Sequence, residues 1–203
     1  MTFFKRLIDS IDGTKKSRSD SDAIFTLSSA YISLEAKLDL ESTGRCGICV
    51  EKTDNDAAAA ELNELKVIIE NLLDASKKTD FKLSYGIQID TYYGQLWIIV
   101  DAKTLEDSIA CITVMSETLE EMGPLFKLQS AVFEFGKDGN KQEPFYLIYD
   151  HELDKFYPFV PIIGRQKARN NQQEINIMKA VEDDKLPFEE DPSKWYPKWN
   201  LPF

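Results

Sequence analysis

The spacing of apolar residues changes period several times along the chain, and each change marks an element. Residues 3–11 carry Phe3, Phe4, Leu7, Ile8 and Ile11 at helical spacing, with Lys5, Arg6, Asp9 and Asp12 outside that stripe. Residues 13–22 are polar and read as a linker. A short helical turn is expected over Ile24 to Ser29. Tyr31 to Glu35 and Arg45 to Lys52 then read as two strands around a turn at Ser42-Thr43-Gly44. Asp54 or Asn55 caps an expected helix over 56–75, whose inward stripe is Leu62, Leu65, Ile69, Leu72 and Leu73.

A clean alternation follows. Phe81, Leu83, Tyr85, Ile87 and Ile89 share one face, and Lys82, Ser84, Gln88 and Asp90 share the other. That is a strand with one wet side, answered by a hairpin partner over 95–100. Thr104 and Asp107 have capping-box spacing and open a second helix. Leu105, Ile109, Ile112, Met115 and Leu119 carry it to a stop at Gly123-Pro124. Strands over 126–135 and 144–149 flank a hairpin signal at Lys137-Asp138-Gly139-Asn140. An extended piece covers 156–162, and a last helix covers 172–182 with Ile175, Met178 and Val181 inward.

The resulting order is ββα–ββα–βββ–α. Short hairpin connections require antiparallel pairing. The predicted fold is therefore α+β: an antiparallel sheet from two ββα units plus further strands, with helices packed on one face. Three regions are expected. Residues 1–22 form a basic amphipathic helix and linker, 23–163 the α+β domain, and 164–203 a C-terminal helix with a Trp- and Pro-rich tail that docks on the domain.

Composition narrows the function classes. The formal net charge is −11, which argues against nucleic acid, because phosphate-backbone binding needs a basic surface. The charge is uneven. Residues 1–18 hold Lys5, Arg6, Lys15, Lys16 and Arg18 against Asp9 and Asp12, whereas six acids crowd 182–192. Three cysteines without a signal-peptide pattern fit a reducing cytoplasm. The longest apolar run, Leu96 to Val100, is strand length and far too short to cross a bilayer.

No motif assembles a reactive centre. Cys46-Gly47-Ile48-Cys49 is a C-x-x-C, but a zinc site needs a second ligand pair. Redox pairs of this spacing open a helix, whereas these residues read as strand. Alternation sends Cys46 and Cys49 to opposite faces, as buried strand residues. His151 sits among acids in an expected solvated turn, with no nucleophile elbow in the sequence. The acidic pairs Glu120-Glu121, Asp183-Asp184 and Glu189-Glu190 read as solvated. No calcium loop or phosphate-binding glycine loop is present. Catalytic residues, metal ligands and cofactors are therefore not expected.

Both extremities carry rings and apolar groups. Each buried large aromatic removes roughly 150–250 Å² from water. Phe156, Tyr157, Phe159, Trp195 and Trp199 are thus candidate contacts, either with a partner or with the chain's own sheet. Phe3, Phe4, Lys5, Arg6, Leu7 and Ile8 are candidates for lying in a membrane interface, with packing on the body or a partner helix as the other reading.

These ends also carry a resemblance. Phe25-x-Leu27-x-x-Ala30, Phe156-Tyr157-Pro158-Phe159-x-Pro161, Arg169-x-Asn171 with Glu174, and Leu186-Pro187-x-Glu189-x-Asp191 followed by Trp195-x-Pro197-x-Trp199 resemble the phage-shock-associated protein B (PspAB-like) family. The resemblance implies a cytoplasmic accessory of an envelope-stress response, without established catalytic residues. It implies as neighbours a coiled-coil membrane-remodelling protein of the PspA type and a membrane metalloprotease of the HtpX type. The leading expectation is a non-enzymatic binding protein at the inner membrane face. The alternatives are a peptide-binding or chaperone-like domain that uses an exposed sheet edge, and an enzyme with an unfamiliar pocket.

Overall fold

A computed structural model describes residues 19–52, 63, 66, 67, 69, 70, 84–90, 95–122, 126–137, 140–199, 201 and 202. The N-terminal stripe of residues 3–11 lies outside them, as do Gly123-Pro124 and Asp138-Gly139. Two helices lead in: α1 (Ser19–Phe25) and α2 (Leu27–Leu38). The strands are β1 (Leu40–Lys52), β2 (Ser84–Asp90), β3 (Gln95–Asp101), β4 (Phe126–Lys137), β5 (Asn140–Asp150) and β6 (Lys155–Phe159). Helix α3 (Leu105–Glu121) lies between β3 and β4, and α4 (Asn171–Ala180) follows β6. The sheet order is β2-β3-β1-β4-β5-β6, with every neighbouring pair antiparallel. The α+β class and the antiparallel sheet are as the sequence led one to expect.

The start of the domain differs from the expectation. Tyr31 to Glu35 are helical, part of α2, and not a strand. Leu27, Ala30 and Leu34 repeat at helical spacing and are fully buried, while Ile32 is 69% exposed. The five-residue alternation was too short to outweigh that longer repeat. The end of the expected linker is likewise helical, in α1. Helix α2 ends where Asp39 turns left-handed, at φ 58°. The first ββα unit therefore has one strand, whereas β2, β3 and α3 form the second as expected. Residues 63, 66, 67, 69 and 70 are helical with Ile69 buried, and the remainder of the expected 56–75 helix lies outside the described residues.

Ser42-Thr43-Gly44 is a bulge inside β1, not a turn. Ser42 faces Phe135 and Cys46 faces Phe133, so β1 advances four residues while β4 advances two. Gly44 makes this possible with φ +76°. Its carbonyl accepts from the Ala102 amide at 2.8 Å and from the Ser108 hydroxyl at 3.1 Å. The bulge thereby fixes where β3 ends and α3 begins. Thr104 caps α3 by accepting from the Asp107 amide at 3.1 Å.

The sheet separates two apolar clusters. Helices α1, α2 and α3 cover one face, over Cys46, Ile48, Ile98, Ala131, Phe133, Phe135, Leu147 and Phe156. The other face carries Cys49, Trp97, Val132, Tyr146, Ile148, Tyr157 and Phe159, and Trp195 of the tail packs there. Cys46 and Cys49 thus fall on opposite sides, as alternation requires, and both are free and buried. Helix α4 packs against α2 and β6. Its buried residues are Glu174, Ile177 and Ala180, with Val181 buried at its cap, while Ile175 and Met178 are half-buried against the second cluster. The inward stripe is thus one residue out of phase with the expected Ile175 and Met178. Lys37 of α2 donates to the Ala180 carbonyl at 2.7 Å, closing the C-terminus of α4.

Gly44→Ala should destabilise the domain by about 1–3 kcal/mol, because the new methyl would collide with the Ala102 carbonyl oxygen and strain a left-handed backbone. Urea unfolding of the two proteins measures this directly. Gly164→Ala shares the backbone conformation but meets open space, so it should cost less.

Candidate functional site

Beyond β6 the chain is bound back onto the sheet through one arginine. Asn170 caps α4 by accepting from the Gln173 amide at 3.2 Å, which sets the first turn of the helix. That turn aims Glu174 inward, and its side chain is 1% exposed. Glu174 Oε1 accepts from the Val160 amide at 2.8 Å. Arg169 Nε lies 2.9 Å from Oε1 and 2.8 Å from Oε2 of the same carboxylate.

The other guanidinium nitrogens reach further. Nη1 donates to the Trp195 carbonyl at 2.7 Å and Nη2 to the Pro158 carbonyl at 3.3 Å. The guanidinium also lies 5.6 Å from the centre of the Phe159 ring. A planar cation with several fixed donors suits such a junction, where an ammonium would not. One side chain, itself 19% exposed, joins β6, α4 and the tail.

The tail follows a defined course. The Phe156 amide donates to the Pro187 carbonyl at 2.7 Å, and the Glu189 amide donates to the Phe156 carbonyl at 2.8 Å. These bonds lay residues 187–189 along the outer edge of β6. Trp195 is 4% exposed, and its indole N–H donates to the Glu189 carbonyl at 2.8 Å. The Tyr157 hydroxyl donates to the Tyr196 carbonyl at 3.0 Å. Trp199 meets Phe159 edge-on at 5.1 Å.

The candidate contact residues are thus placed as follows. Phe156, Tyr157, Phe159 and Trp195 are buried, and Trp199 is half-buried. Tyr157, Phe159, Trp195 and Trp199 meet in the second cluster, while Phe156 faces the helical side. In this arrangement what they bind is the chain's own sheet and tail. The other candidates, Phe3, Phe4, Lys5, Arg6, Leu7 and Ile8, lie outside the described residues.

Glu189 and Asp191 stiffen the tail. The Asp191 amide donates to Glu189 Oε1 at 3.0 Å, and Lys155 and Lys194 lie 3.4 and 3.7 Å from Oε2. The amide bond, helped by Lys155 and Lys194, holds the Glu189 carboxyl below its ordinary value of 4.5. The Ser193 hydroxyl and amide hold Asp191 below its ordinary 3.8. Glu189, expected to be solvated as one of an adjacent acidic pair, is buried.

A second polar feature was not anticipated. Glu134 is buried on β4 and accepts from the Thr43 hydroxyl at 2.9 Å. Arg45 lies 4.0 Å from it and bonds Asp101 at 3.0 Å, and Asp101 accepts from Ser84 at 3.2 Å. Burial and the neighbouring Glu134 carboxylate push the Tyr146 phenol upward. The available signal was an acid within the apolar run Val132-Phe133-Glu134-Phe135.

The residues with reactive potential are kept apart. Burial pushes the Cys46 thiol up to about 12 and raises Cys111 well above its usual range. The His151 ring stands edge-on to Tyr149 at 5.1 Å, with both nitrogens buried, so its surroundings are not those of a solvated turn. Among the described residues no group of three or more His, Cys, Asp or Glu is arranged to hold a metal ion. Among the described helices none is long and apolar enough to cross a membrane.

The whole chain, residues 1–203, matches the family model described as PspA associated protein B, and the chain belongs to that family. No curated protein and no solved structure matches it.

Arg169→Ala should cost about 3–5 kcal/mol, the range for leaving a buried carboxylate without its partner. Urea unfolding measures the loss, and Arg169→Lys should recover only part of it. Acid should also weaken the tail. Glu189 and Asp191 have lowered folded pKa values, so their contribution is complete above the ordinary carboxylate range and disappears as pH falls through the lowered values. Unfolding midpoints should therefore fall below about pH 4.5, and Glu189→Gln should flatten that slope.

Proposed function

We propose that this chain is a non-enzymatic accessory protein of a PspA-type envelope-stress response that binds protein partners at the inner face of the membrane. The observation that carries this reading is the match of the entire chain to a family of PspA-associated proteins. An accessory role in the Psp system follows from that membership. The first partner in this reading is a coiled-coil protein of the PspA type, and the second an HtpX-type membrane protease. The protein stays on the cytoplasmic side and touches the bilayer peripherally. The head segment, with Phe3, Phe4, Lys5, Arg6, Leu7 and Ile8, supplies one such contact.

The chemistry of the body supports a binding role. Thiols raised by burial hold almost no thiolate at neutral pH. The tail aromatics serve binding indirectly in this reading, by fixing the surface that α4 and the tail present to a partner.

A second reading, a peptide-holding domain, is favoured by one feature. The outer edge of β6 is occupied by the chain's own residues 187–189. Among the described residues β2 pairs with β3 alone, leaving one edge for strand addition.

Affinity capture from envelope-stressed cells, with the full chain as bait, tests the first reading. It should recover a PspA-type coiled-coil protein, and recovery of neither this nor an HtpX-type protease would contradict it. The second reading expects the purified chain to suppress aggregation of a chemically denatured client protein. Absence of suppression at equal concentrations would exclude that reading.

A further inference from the structure

The chain is acidic overall, yet two stretches contain no Asp or Glu: residues 155–173 and residues 192–203. The fold brings them together, because Arg169 of the first bonds the Trp195 carbonyl of the second. Within the first, Pro161 and Arg169 form an antiparallel bridge, and the Ile162 amide donates to the Ala168 carbonyl at 2.8 Å. The Arg165 amide donates to the Ile162 carbonyl at 3.1 Å, and Gly164 and Lys167 turn the chain at φ 79° and 48°. The result is a tight hairpin in which residues 163–167 are all exposed. Ile163 is 63% exposed within this stretch, and Arg165 and Lys167 follow it there. Neither cation takes part in an ion pair among the described residues, and Lys198 of the tail does not either. Tyr196, 58% exposed, follows Trp195, whose carbonyl Arg169 holds.

We propose that the hairpin Pro161–Arg169 is a preset contact for an anionic membrane surface, in which Ile163 enters the interface and Arg165 and Lys167 meet lipid phosphates. The assignment rests on the reading that the protein works beside a membrane. Three observations select a membrane. An exposed apolar tip beside free cations gives charge complementarity together with insertion. A protruding tip needs no matching pocket in a fluid interface, whereas a protein partner would have to supply one. The half-buried Arg169 holds the hairpin base, so little ordering remains to be done on contact. The acidic stretches of the body then help to orient the protein, since they are repelled by the same surface.

Flotation of the purified full chain tests this. Vesicles of phosphatidylglycerol mixed with phosphatidylcholine should carry the chain, and vesicles of phosphatidylcholine alone should not. Arg165→Glu with Lys167→Glu should weaken binding about 25-fold or more, at about five-fold per basic residue removed. Ile163→Ala should weaken it less. Both changes are on the surface, so an unchanged urea midpoint verifies the fold. Failure of the wild-type chain to float on anionic vesicles would overturn the proposal. So would equal flotation of the double variant, which would assign the contact to residues 3–8. Binding to poly-L-glutamate without binding to vesicles would assign the patch to an acidic polypeptide and overturn it too. Only purified chain and lipid are present, so failure here leaves partner capture standing, and failure of capture leaves flotation standing.

Discussion

The pairing of Arg169 with Glu174 is the constraint on which the C-terminal quarter of the molecule depends. A carboxylate buried to this degree needs a cation and hydrogen-bond donors, or it would not stay charged. Glu174 has both, from the Arg169 guanidinium and the Val160 amide. The same guanidinium has donors left over, and they reach the carbonyls of Pro158 and Trp195. The helix, the last strand and the tail are thereby held in one geometry by a single group. Arg169 is also the base of the exposed hairpin, so the interior pair and the surface feature share an origin.

This arrangement explains why the sheet can be apolar on both faces. Helices α1, α2 and α3 cover one side. The opposite side would leave Tyr157 and Phe159 in water without Trp195, Trp199 and Leu201. The tail also lies along the outer edge of β6, which would otherwise offer unpaired backbone groups. A cover of this kind removes two adhesive features, an edge and an aromatic face, and leaves a different surface exposed. That surface is cationic and apolar in a protein whose formal charge is −11. An accessory that must touch one neighbour and avoid others gains specificity from such segregation.

Much of the fold was legible in the sequence because the longer elements keep one period throughout. The alternation around Tyr85 to Ile89 and the Thr104 cap needed no tertiary information. The failures have physical causes. Tyr31-Ile32-Ser33-Leu34 alternates over too few residues to be told from a helix by pattern alone, and burial of Leu27, Ala30 and Leu34 decided it. Gly44 was recognised as a chain-turning residue, but whether a positive φ makes a turn or a bulge depends on the partner strand. The tail aromatics were legible as adhesive groups expected to dock on the domain, though not which face of the sheet or which strand edge takes them. Arg169 and Glu174 stood out as a pattern with no role, because a five-residue separation across a helix cap does not reveal a buried pair. The row from Ser84 to Glu134 joins four strands distant in sequence, so no local signal could show it.

Amide and indole hydrogen exchange at Trp195 tests the central claim most directly. If the tail is part of the folded domain, the Trp195 indole proton, bonded to the Glu189 carbonyl, should exchange only as slowly as the core of β4 and β5 opens. Exchange at the rate of a solvent-exposed indole, while β4 and β5 stay protected, would contradict it. The tail would then be a detachable segment, with Arg169 holding nothing but its own helix.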